Sequence, residues 1–311
     1  MSSALKLGTR GSELALWQAE WVKAALGRKG ITAELEIIKT QGDADVDRPL
    51  HSLEGKGFFT KEIEQALMDG RIDVAVHSLK DLPTSLPDGL ALGAVPVRAD
   101  PADVLVSKEP GMTSLAALAA GVRIGTSSLR RTAQIRYLRA DLEIVPLRGN
   151  VPTRVRKVQE GRDGLAAALL AGAGLERLGL TGAIAARLDA LEVMPAPGQG
   201  ALGLEVRADD RTAKKALAGL EDAPSARAVT AERSLLAALE GGCQAPVAAY
   251  CGSREQGAGR GGSRLFGRVT AQDGSVQITA SADMDERDPA ATGARVADLL
   301  RAHGASRLLG R

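Results

Sequence analysis

Short apolar runs alternate with amphipathic segments along most of the chain, and this alternation constrains the fold more than any other feature of the sequence. The first unit shows the pattern: "LKLGTR" predicts a strand, a helix follows with Ser12 as its N-cap, and "AELEIIKT" predicts a second strand. The apolar face of the helix is predicted to consist of Leu14, Trp17, Trp21 and Ala25. Such alternation is typical of open α/β domains, which bind ligands at the carboxyl ends of their strands.

Changes in this pattern predict three domains. Domain 1 is discontinuous and comprises residues 1–97 and 197–216, domain 2 comprises residues 98–196, and domain 3 comprises residues 217–311. The first two are predicted to be α/β domains, and "MPAPGQGALGLEVR" is predicted to return the chain to domain 1. Domain 3 is predicted to be a small α+β domain, because two strand-like runs joined by "AQDG" stand between helical segments. With 311 residues, the chain is long enough to give each domain its own core.

The composition argues against a membrane protein and against a disulfide framework. No run reaches the roughly 18 apolar residues of a membrane span, and the first residues lack the pattern of a signal peptide, so we expect a cytoplasmic protein. The cysteines, Cys243 and Cys251, belong to no Cys/His ligand pattern, and no metal site is predicted. Cys251 is predicted to be a small buried hydrophobe, and Cys243, in the glycine-rich stretch "LEGGCQAP", a free thiol.

Positive charge is concentrated in the predicted second domain. Between Gly121 and Arg162 the sequence has ten basic residues, nine of them arginine, and three acidic residues. Arginine binds carboxylates and phosphates through paired hydrogen bonds, so this region predicts an anion-binding surface. Aromatic residues make up only 2% of the chain, which argues against stacking of single-stranded nucleic acid. A small, multiply charged anion is the preferred ligand; a solute-binding protein and a nucleic-acid-binding protein are the alternatives.

The motif "VHSLKD" follows an apolar strand and is the first candidate site. It places His77, Ser78, Lys80 and Asp81 at the carboxyl edge of that strand. Because open sheets bind ligands at this edge, the carboxylate of Asp81 is predicted to lie beside a bound substrate. An ordinary solvated loop with an ion pair between Lys80 and Asp81 is the alternative.

The motif "GTSSLRR" is the second candidate site. It predicts that a strand ends and a helix begins at Ser127 or Ser128, where free backbone N–H groups bind anions. The alternative is a surface helix that begins with basic residues. The motif "LRGNVPTR" repeats the arrangement, with Arg148 at a strand end and Arg154 six residues later.

Eight motifs together resemble a known family. They are "TRGSELALWQ", "GKGFFTKEIE", "VHSLKDLP", "GTSSLRR", "LRGNVPTR", "AGLERLG", "PAPGQGALG" and "LEGGCQAP", and their order resembles that in the porphobilinogen deaminases, or hydroxymethylbilane synthases. The resemblance extends from about Leu5 to Tyr250. It implies two domains similar to type II periplasmic binding proteins, with the active site in the cleft between them, and a small α+β C-terminal domain. It also implies a dipyrromethane cofactor bound covalently to Cys243 through a thioether.

The resemblance implies a transferase of tetrapyrrole and heme biosynthesis. Members of the family join four porphobilinogen molecules head to tail, release ammonia from each, and hydrolyse off the linear product hydroxymethylbilane. The catalytic residues would be Asp81, Lys80, Arg10 and Phe59. Asp81 would stabilise the cation that remains when ammonia leaves, and Phe59 would stack over a pyrrole ring; packing at the start of its helix is the alternative for Phe59.

By the same resemblance, two overlapping sets of residues bind the cofactor and the substrate. The cofactor-binding set is Cys243, Asp81, Lys80, Ser78, Thr126, Ser127, Ser128, Arg130, Arg131, Arg148, Gly149, Gln199 and Gly200. The substrate-binding set is Arg10, Ser12, Lys56, Arg148, Arg154 and Arg177. Each ring carries an acetate and a propionate, which accounts for the arginine-rich stretch.

The implied partners are small molecules and one further enzyme. Porphobilinogen would be the substrate, uroporphyrinogen-III synthase would receive the product, and the protein would be a monomer that binds neither nucleic acid nor membranes. The sequence departs from the family pattern at Ser52, Val97 and Ala102, where basic, acidic and arginine residues respectively are common. These departures affect the expected contacts with the substrate and the contacts where the chain passes from domain 1 to domain 2.

Overall fold

A computed structural model describes the protein over residues 4–40, 60–109, 111–239, 246–253 and 262–310. The chain folds into two compact units, which comprise Met1–Ala99 with Gly200–Ala226, and Asp100–Gln199 with Arg227–Arg311. The second unit therefore holds both the second α/β domain and most of the C-terminal region. The domain boundaries expected from the sequence stay predictions.

The described residues form thirteen strands and nine α-helices. The strands are β1 (Leu5–Thr9), β2 (Ala33–Ile37), β3 (Val74–Ser78), β4 (Leu90–Ala94), β5 (Asp103–Ser107), β6 (Arg123–Gly125), β7 (Glu143–Val145), β8 (Leu165–Ala171), β9 (Ile184–Arg187), β10 (Leu202–Arg207), β11 (Val247–Ser253), β12 (Ser263–Thr270) and β13 (Gln277–Asp283). The helices are α1 (Glu13–Gly27), α2 (Lys61–Met68), α3 (Leu129–Leu138), α4 (Val151–Gln159), α5 (Gly172–Arg177), α6 (Arg211–Leu217), α7 (Ala223–Ala238), α8 (Pro289–Ala302) and α9 (Ala305–Leu308).

The first unit is built on a mixed sheet with the strand order β2-β1-β3-β10-β4. Strand β1 runs parallel to β2 and β3, whereas β10 runs antiparallel to β3 and β4. Side chains alternate across the sheet. On β3, Val74 and Val76 pack into the core formed with α1, and Ala75 packs into the core formed with α2.

The second unit contains a sheet of the same plan, with the order β7-β6-β8-β5-β9. Strand β6 runs parallel to β7 and β8, and β5 runs antiparallel to β8 and β9. Its two faces pack against α3 and α4. In each sheet one strand runs antiparallel to both of its neighbours: β10 in the first sheet and β5 in the second. Each is the first strand that the chain forms after it has passed from the other unit. The prediction that the first two domains are α/β domains is confirmed.

The C-terminal region forms an antiparallel sheet with the order β11-β12-β13. Its core includes Leu235 of α7, Leu265 and Val269 of β12, and Val296 and Leu300 of α8. The segment "AQDG" connects β12 to β13 as predicted, so a small α+β domain is confirmed. No helix in the described part of the chain has the length and apolarity needed to cross a membrane.

Helix α1 buries a face that coincides only in part with the predicted one. Ala15, Ala19, Val22 and Leu26 are buried, whereas Trp17 is 36% exposed. Of the predicted face, Ala25 is buried and Trp21 packs against the core, so the prediction is confirmed for these two residues and is wrong for Trp17. The short alanine side chains let the helix backbone approach the sheet, which moves the tryptophans to the margin of the contact.

Candidate functional site

The carboxyl end of β3 carries three predicted site residues of the first unit. Ser78 is the last residue of the strand, and Lys80 and Asp81 lie in the following 3₁₀ turn, Leu79–Asp81. The Oγ atom of Ser78 exchanges hydrogen bonds of 2.8 and 3.2 Å with the amide of Gln18. Asp81 is exposed, and its carboxylate forms no hydrogen bond or ion pair with the described residues. The alternative of an ion pair between Lys80 and Asp81 is therefore not found there.

Arg10 and Ser12 lie at the neighbouring strand end. Both follow β1, and the Oγ atom of Ser12 accepts a hydrogen bond of 3.4 Å from the backbone N–H of Ala15 as the N-cap of α1. Because β1 and β3 are adjacent and parallel, their carboxyl ends lie on one edge of the sheet. Arg10, Ser12, Lys80 and Asp81 thus share that edge.

His77 precedes Ser78 at the end of β3, but its side chain is buried instead of lining the edge of the sheet. It lies within β3, on the opposite face from Ser78, and its Nε2 atom is 3.0 Å from Oε2 of Glu205 on β10. Both side chains are buried, with exposures of 4% and 0%. Burial raises the pKa of the nearby Glu64, an effect that Glu205 strengthens and that Thr60 and His77 oppose.

Three hydroxyls shape the turn between β6 and α3. Ser127 Oγ donates to the carbonyl oxygen of Leu147 at 2.9 Å and accepts from its N–H at 3.1 Å. Ser128 is the N-cap of α3, and its Oγ accepts from the N–H of Arg131 at 3.4 Å. Thr126 Oγ1 accepts from the N–H of Ser128 at 3.2 Å. The predicted helix start is confirmed, and these bonds preorganise the end of β6 beside the end of β7.

Arg130 and Arg131 do not form the surface helix start considered as an alternative. Both are buried against Asp103, the first residue of β5. Arg130 Nη2 lies 2.9 Å from Oδ2, and Arg131 binds both carboxylate oxygens, Nε to Oδ2 at 3.0 Å and Nη2 to Oδ1 at 2.8 Å. Gln199 Nε2 donates to Oδ1 at 2.7 Å. One carboxylate therefore accepts four hydrogen bonds.

The electrostatics of this cluster follow from two cations around one anion. Burial alone would raise the pKa of Asp103, but Arg130 and Arg131 hold it far below its ordinary value of 3.8. Burial lowers the pKa of Arg130, and Asp103 opposes that effect. Arg130 Nη1 also donates to the carbonyl oxygen of Met194 at 2.6 Å, while its Nε atom is buried without a partner among the described residues. The cluster retains one excess positive charge and one unused donor.

The loop after β7 adds further donors. The Nη2 atom of Arg148 is buried and forms no hydrogen bond with described residues. Gly149 has a φ of 109°, and a Cβ atom there would lie 2.7 Å from a methyl carbon of Thr153, so this position requires glycine. Arg154 Nε donates to the carbonyl oxygen of Gly149 at 2.7 Å.

Arg177 lies on α5, directly after β8. Because β6, β7 and β8 run parallel, the three segments that follow them meet at one edge of the second sheet. Burial lowers the pKa of Arg177, and Glu176 opposes that effect. Arg177 is therefore the last residue of the short helix that begins at this edge.

The other predicted residues divide into three groups. Gln199 is buried and bound to Asp103 as described, and Gly200 has a left-handed φ of 85°. Ala102 is buried and Val97 is 70% exposed. Outside the described residues lie Cys243, Phe59, Lys56 and Ser52.

Sequence reasoning missed the two carboxylates that organise the interior of these units, Asp103 and Glu205. The available signal was an acidic residue within or beside an otherwise apolar strand, in "DVLVS" and "LGLEVR". A buried acid in such a strand requires a buried partner. Within the described ranges, no group of His, Cys, Asp and Glu side chains has the arrangement of a metal site. The second sheet edge suits an organic polyanion, and the first offers an exposed carboxylate.

Comparisons with known proteins agree along nearly the whole chain. Residues 5–215 match the family described as "Porphobilinogen deaminase, dipyromethane cofactor binding domain", and residues 226–302 match "Porphobilinogen deaminase, C-terminal domain". Porphobilinogen deaminase of Moorella thermoacetica is 48% identical over 307 residues, covering 98% of this chain and 95% of that protein. The enzymes of Syntrophotalea carbinolica and Roseiflexus sp. are 48% and 47% identical, covering 99% of this chain and 96% and 99% of those proteins.

Proposed function

This chain belongs to the porphobilinogen deaminase family, and we propose that it is a transferase that joins four porphobilinogen molecules head to tail. Each addition releases ammonia, and hydrolysis frees the linear tetrapyrrole hydroxymethylbilane. The observation that carries the proposal is the edge of the second sheet, where buried N–H groups of Arg130 and Arg148 have no partner among the described residues. A substrate with two carboxylates on each ring would supply the missing acceptors.

Residues 5–215 form the dipyrromethane cofactor-binding domain of the family, and the described residues fit such a group. Its carboxylates need several buried donors, and the hydroxyls at the end of β6 and the arginines beside them are donors of that kind. When bound, the group supplies a primer whose terminal pyrrole accepts the next substrate. The residues proposed to hold it are Ser78, Lys80, Asp81, Thr126, Ser127, Ser128, Arg130, Arg131, Arg148, Gly149, Gln199 and Gly200.

We propose Cys243 as the attachment point. Its sulfur attacks the aminomethyl carbon of porphobilinogen, so that a C–S bond replaces the C–N bond and the thiol proton leaves with the ammonia. The glycines that precede Cys243 give the segment little steric bulk, which suits the approach of a large substrate.

Asp81 is the proposed catalytic carboxylate. Loss of ammonia from porphobilinogen leaves positive charge on the pyrrole ring, and a nearby carboxylate stabilises that charge. Asp81 suits this role because it is exposed and its carboxylate has no partner among the described residues. Lys80, Arg10 and Phe59 complete the proposed catalytic set.

The proposed substrate-binding residues are basic or hydroxyl-bearing: Arg10, Ser12, Lys56, Arg148, Arg154 and Arg177. Arg148 lies on the loop that follows β7, and Arg154 lies on α4, which begins directly after that loop. The Nε atom of Arg154 donates to the carbonyl oxygen of Gly149, which links the helix to the loop. Both arginines orient the acetate and propionate of the incoming ring. We further propose that the protein is a cytoplasmic monomer and that uroporphyrinogen-III synthase takes up its product.

The intact mass of the denatured protein tests this function. The expected result is an excess equal to two linked pyrroles, present in the wild type and in Cys251→Ala and absent from Cys243→Ala. Cys251→Ala is the matched control, because it removes the other thiol of the chain. An unmodified wild type with no turnover of porphobilinogen and reversible dicarboxylate binding would establish the solute-binding alternative instead.

A further inference from the structure

Arg268 is a buried cation outside the proposed site. It lies on β12 of the C-terminal sheet and is only 8% exposed. Its Nε atom donates to Oγ1 of Thr279 on the adjacent strand at 3.2 Å. Its Nη1 atom donates to the side-chain oxygen of Gln134 at 3.0 Å and to the carbonyl oxygen of Glu192 at 2.9 Å, and Nη2 donates to the carbonyl oxygen of Leu191 at 2.7 Å. The guanidinium therefore joins the C-terminal sheet to the second α/β domain.

This arginine is held by neutral acceptors. No carboxylate in the described part of the chain forms an ion pair with Arg268, and burial lowers its pKa. Burying an uncompensated cation costs free energy that a well-packed apolar side chain would not cost. What the guanidinium offers instead is a rigid fork with a fixed direction for each donor. Its contacts therefore point to geometric positioning and not to ionic stabilisation.

The contacts of Arg268 lead directly to the buried arginine cluster. Gln134 lies on α3, and its side chain also donates to the carbonyl oxygen of Met194 at 3.0 Å and accepts from its N–H at 2.9 Å. The same carbonyl oxygen accepts from Arg130 Nη1 at 2.6 Å. The segment 191–194 is thus held between β12 and the helix that carries Arg130 and Arg131.

A second connection joins the same chain segment to the C-terminal domain. The buried carboxylate of Glu232, on α7, accepts hydrogen bonds of 2.8 Å from the N–H groups of Gly198 and Cys251. The N–H of Ala249 donates to the carbonyl oxygen of Pro195 at 3.1 Å. Helix α7 and strand β11, which precede and follow residues 240–245 in the chain, are therefore tied to residues 195–198.

We propose that Arg268 is a positioning residue for cofactor loading, an inference that rests on the proposed function. It fixes the C-terminal domain, and with it α7 and β11, relative to Arg130 and Arg131 of α3. The thiol and these arginines must engage the same small molecule, one through sulfur and the other through its carboxylates. Displacing one relative to the other slows the attachment, because reacting atoms must be held close to the productive geometry.

The test measures loading of the full-length chain, produced without its cofactor in cells that make no porphobilinogen. Porphobilinogen is added, and intact mass follows the two-pyrrole adduct with time. Arg268→Met is compared with Arg264→Met, which lies on the same strand and face but binds Ser281 and Asp283 within the C-terminal sheet. We expect a loading rate constant about tenfold to a hundredfold lower in Arg268→Met, as a displacement on the order of 1 Å produces, and a normal one in Arg264→Met.

The final fraction of loaded protein and the rate constant of loading distinguish a positioning role of Arg268 from a purely structural one. A purely structural role would reduce the fraction of protein that loads and leave its rate constant unchanged, and that result would overturn the proposal. Arg268→Lys retains the charge without the fork, so it should load slowly while remaining folded. If Arg268→Met does not fold, Arg268→Lys is the variant that tests the proposal. Loading of Arg268→Lys at the wild-type rate would also overturn the proposal. Failure of the wild type to load would refute the proposed function instead.

Discussion

Substitution of Asp103 by asparagine should destabilise the second unit more than any exposed acid-to-amide change. The side chain is fully buried and accepts four hydrogen bonds from three side chains, at 2.7 to 3.0 Å. Removing one partner of a buried ion pair costs about 3–5 kcal/mol, because the remaining charge stays buried. Asparagine keeps one acceptor, so the lower end applies, about 3 kcal/mol. For a unit of this size the loss corresponds to a fall in Tm of about 6–12 °C.

The pH dependence of this effect has a defined sign. The pKa of Asp103 is depressed in the folded protein, so its stabilising contribution is present above the ordinary value of 3.8 and is lost as the pH falls toward the folded pKa. The Tm difference between wild type and Asp103→Asn should therefore be constant near neutral pH and shrink below about pH 3.8. Calorimetry across this range provides the measurement.

The control is Asp141→Asn. Asp141 pairs with Arg139 at 2.6 Å, but its side chain is 42% exposed, so solvent screens the pair. Its Tm should match that of the wild type. An equally small shift in Asp103→Asn at neutral pH would refute the reasoning, since it would mean that the two buried guanidinium groups do not need their carboxylate.

Two further predictions concern the first unit. Asp81→Asn should fold normally and lose about 10²- to 10³-fold in turnover, because the amide lacks the charge that stabilises the cationic transition state. Steady-state kinetics, together with a thermal melt that checks folding, provide the measurement. Near-normal turnover would remove Asp81 from the mechanism. Glu64→Gln should gain in Tm relative to the wild type as the pH rises above 4.5, because a carboxyl with a raised folded pKa destabilises the fold once it must ionise. A Tm difference that does not change with pH would contradict the burial argument.

The positions of the strand ends could be predicted from the sequence, because each depends on a short local pattern. "VHSLKD", "GTSSLRR" and "LRGNVPTR" each pass from apolar residues to polar residues and a turn, and the structure ends a strand at or beside each change. Where such strands are parallel neighbours, their carboxyl ends lie at the same edge of the sheet, so no further sequence signal is needed to place the ends together. The shared plan of the two sheets follows from the same alternation.

The partners of buried charges could not be predicted in this way. Asp103 and Arg131 are separated by 28 positions, and His77 and Glu205 by 128. No local pattern links such pairs, since the pairing depends on which strands become neighbours. The basic start of α3 therefore suggested a surface helix as one alternative, although its two arginines are buried.

The arginine cluster also gives a physical reason for tight retention of a polyanionic group. A buried donor without an acceptor costs about 1–3 kcal/mol, and Arg130 Nε and Arg148 Nη2 are two such donors among the described residues. The hydroxyls at the end of β6 and the carboxylate of Asp103 already hold their surroundings in place, so little ordering remains when an anion binds. A bound carboxylate recovers the cost of each unused donor and adds a charge-assisted hydrogen bond. The second unit therefore presents buried donors that suit carboxylates, whereas the first unit presents the exposed carboxylate of Asp81, the proposed catalytic group.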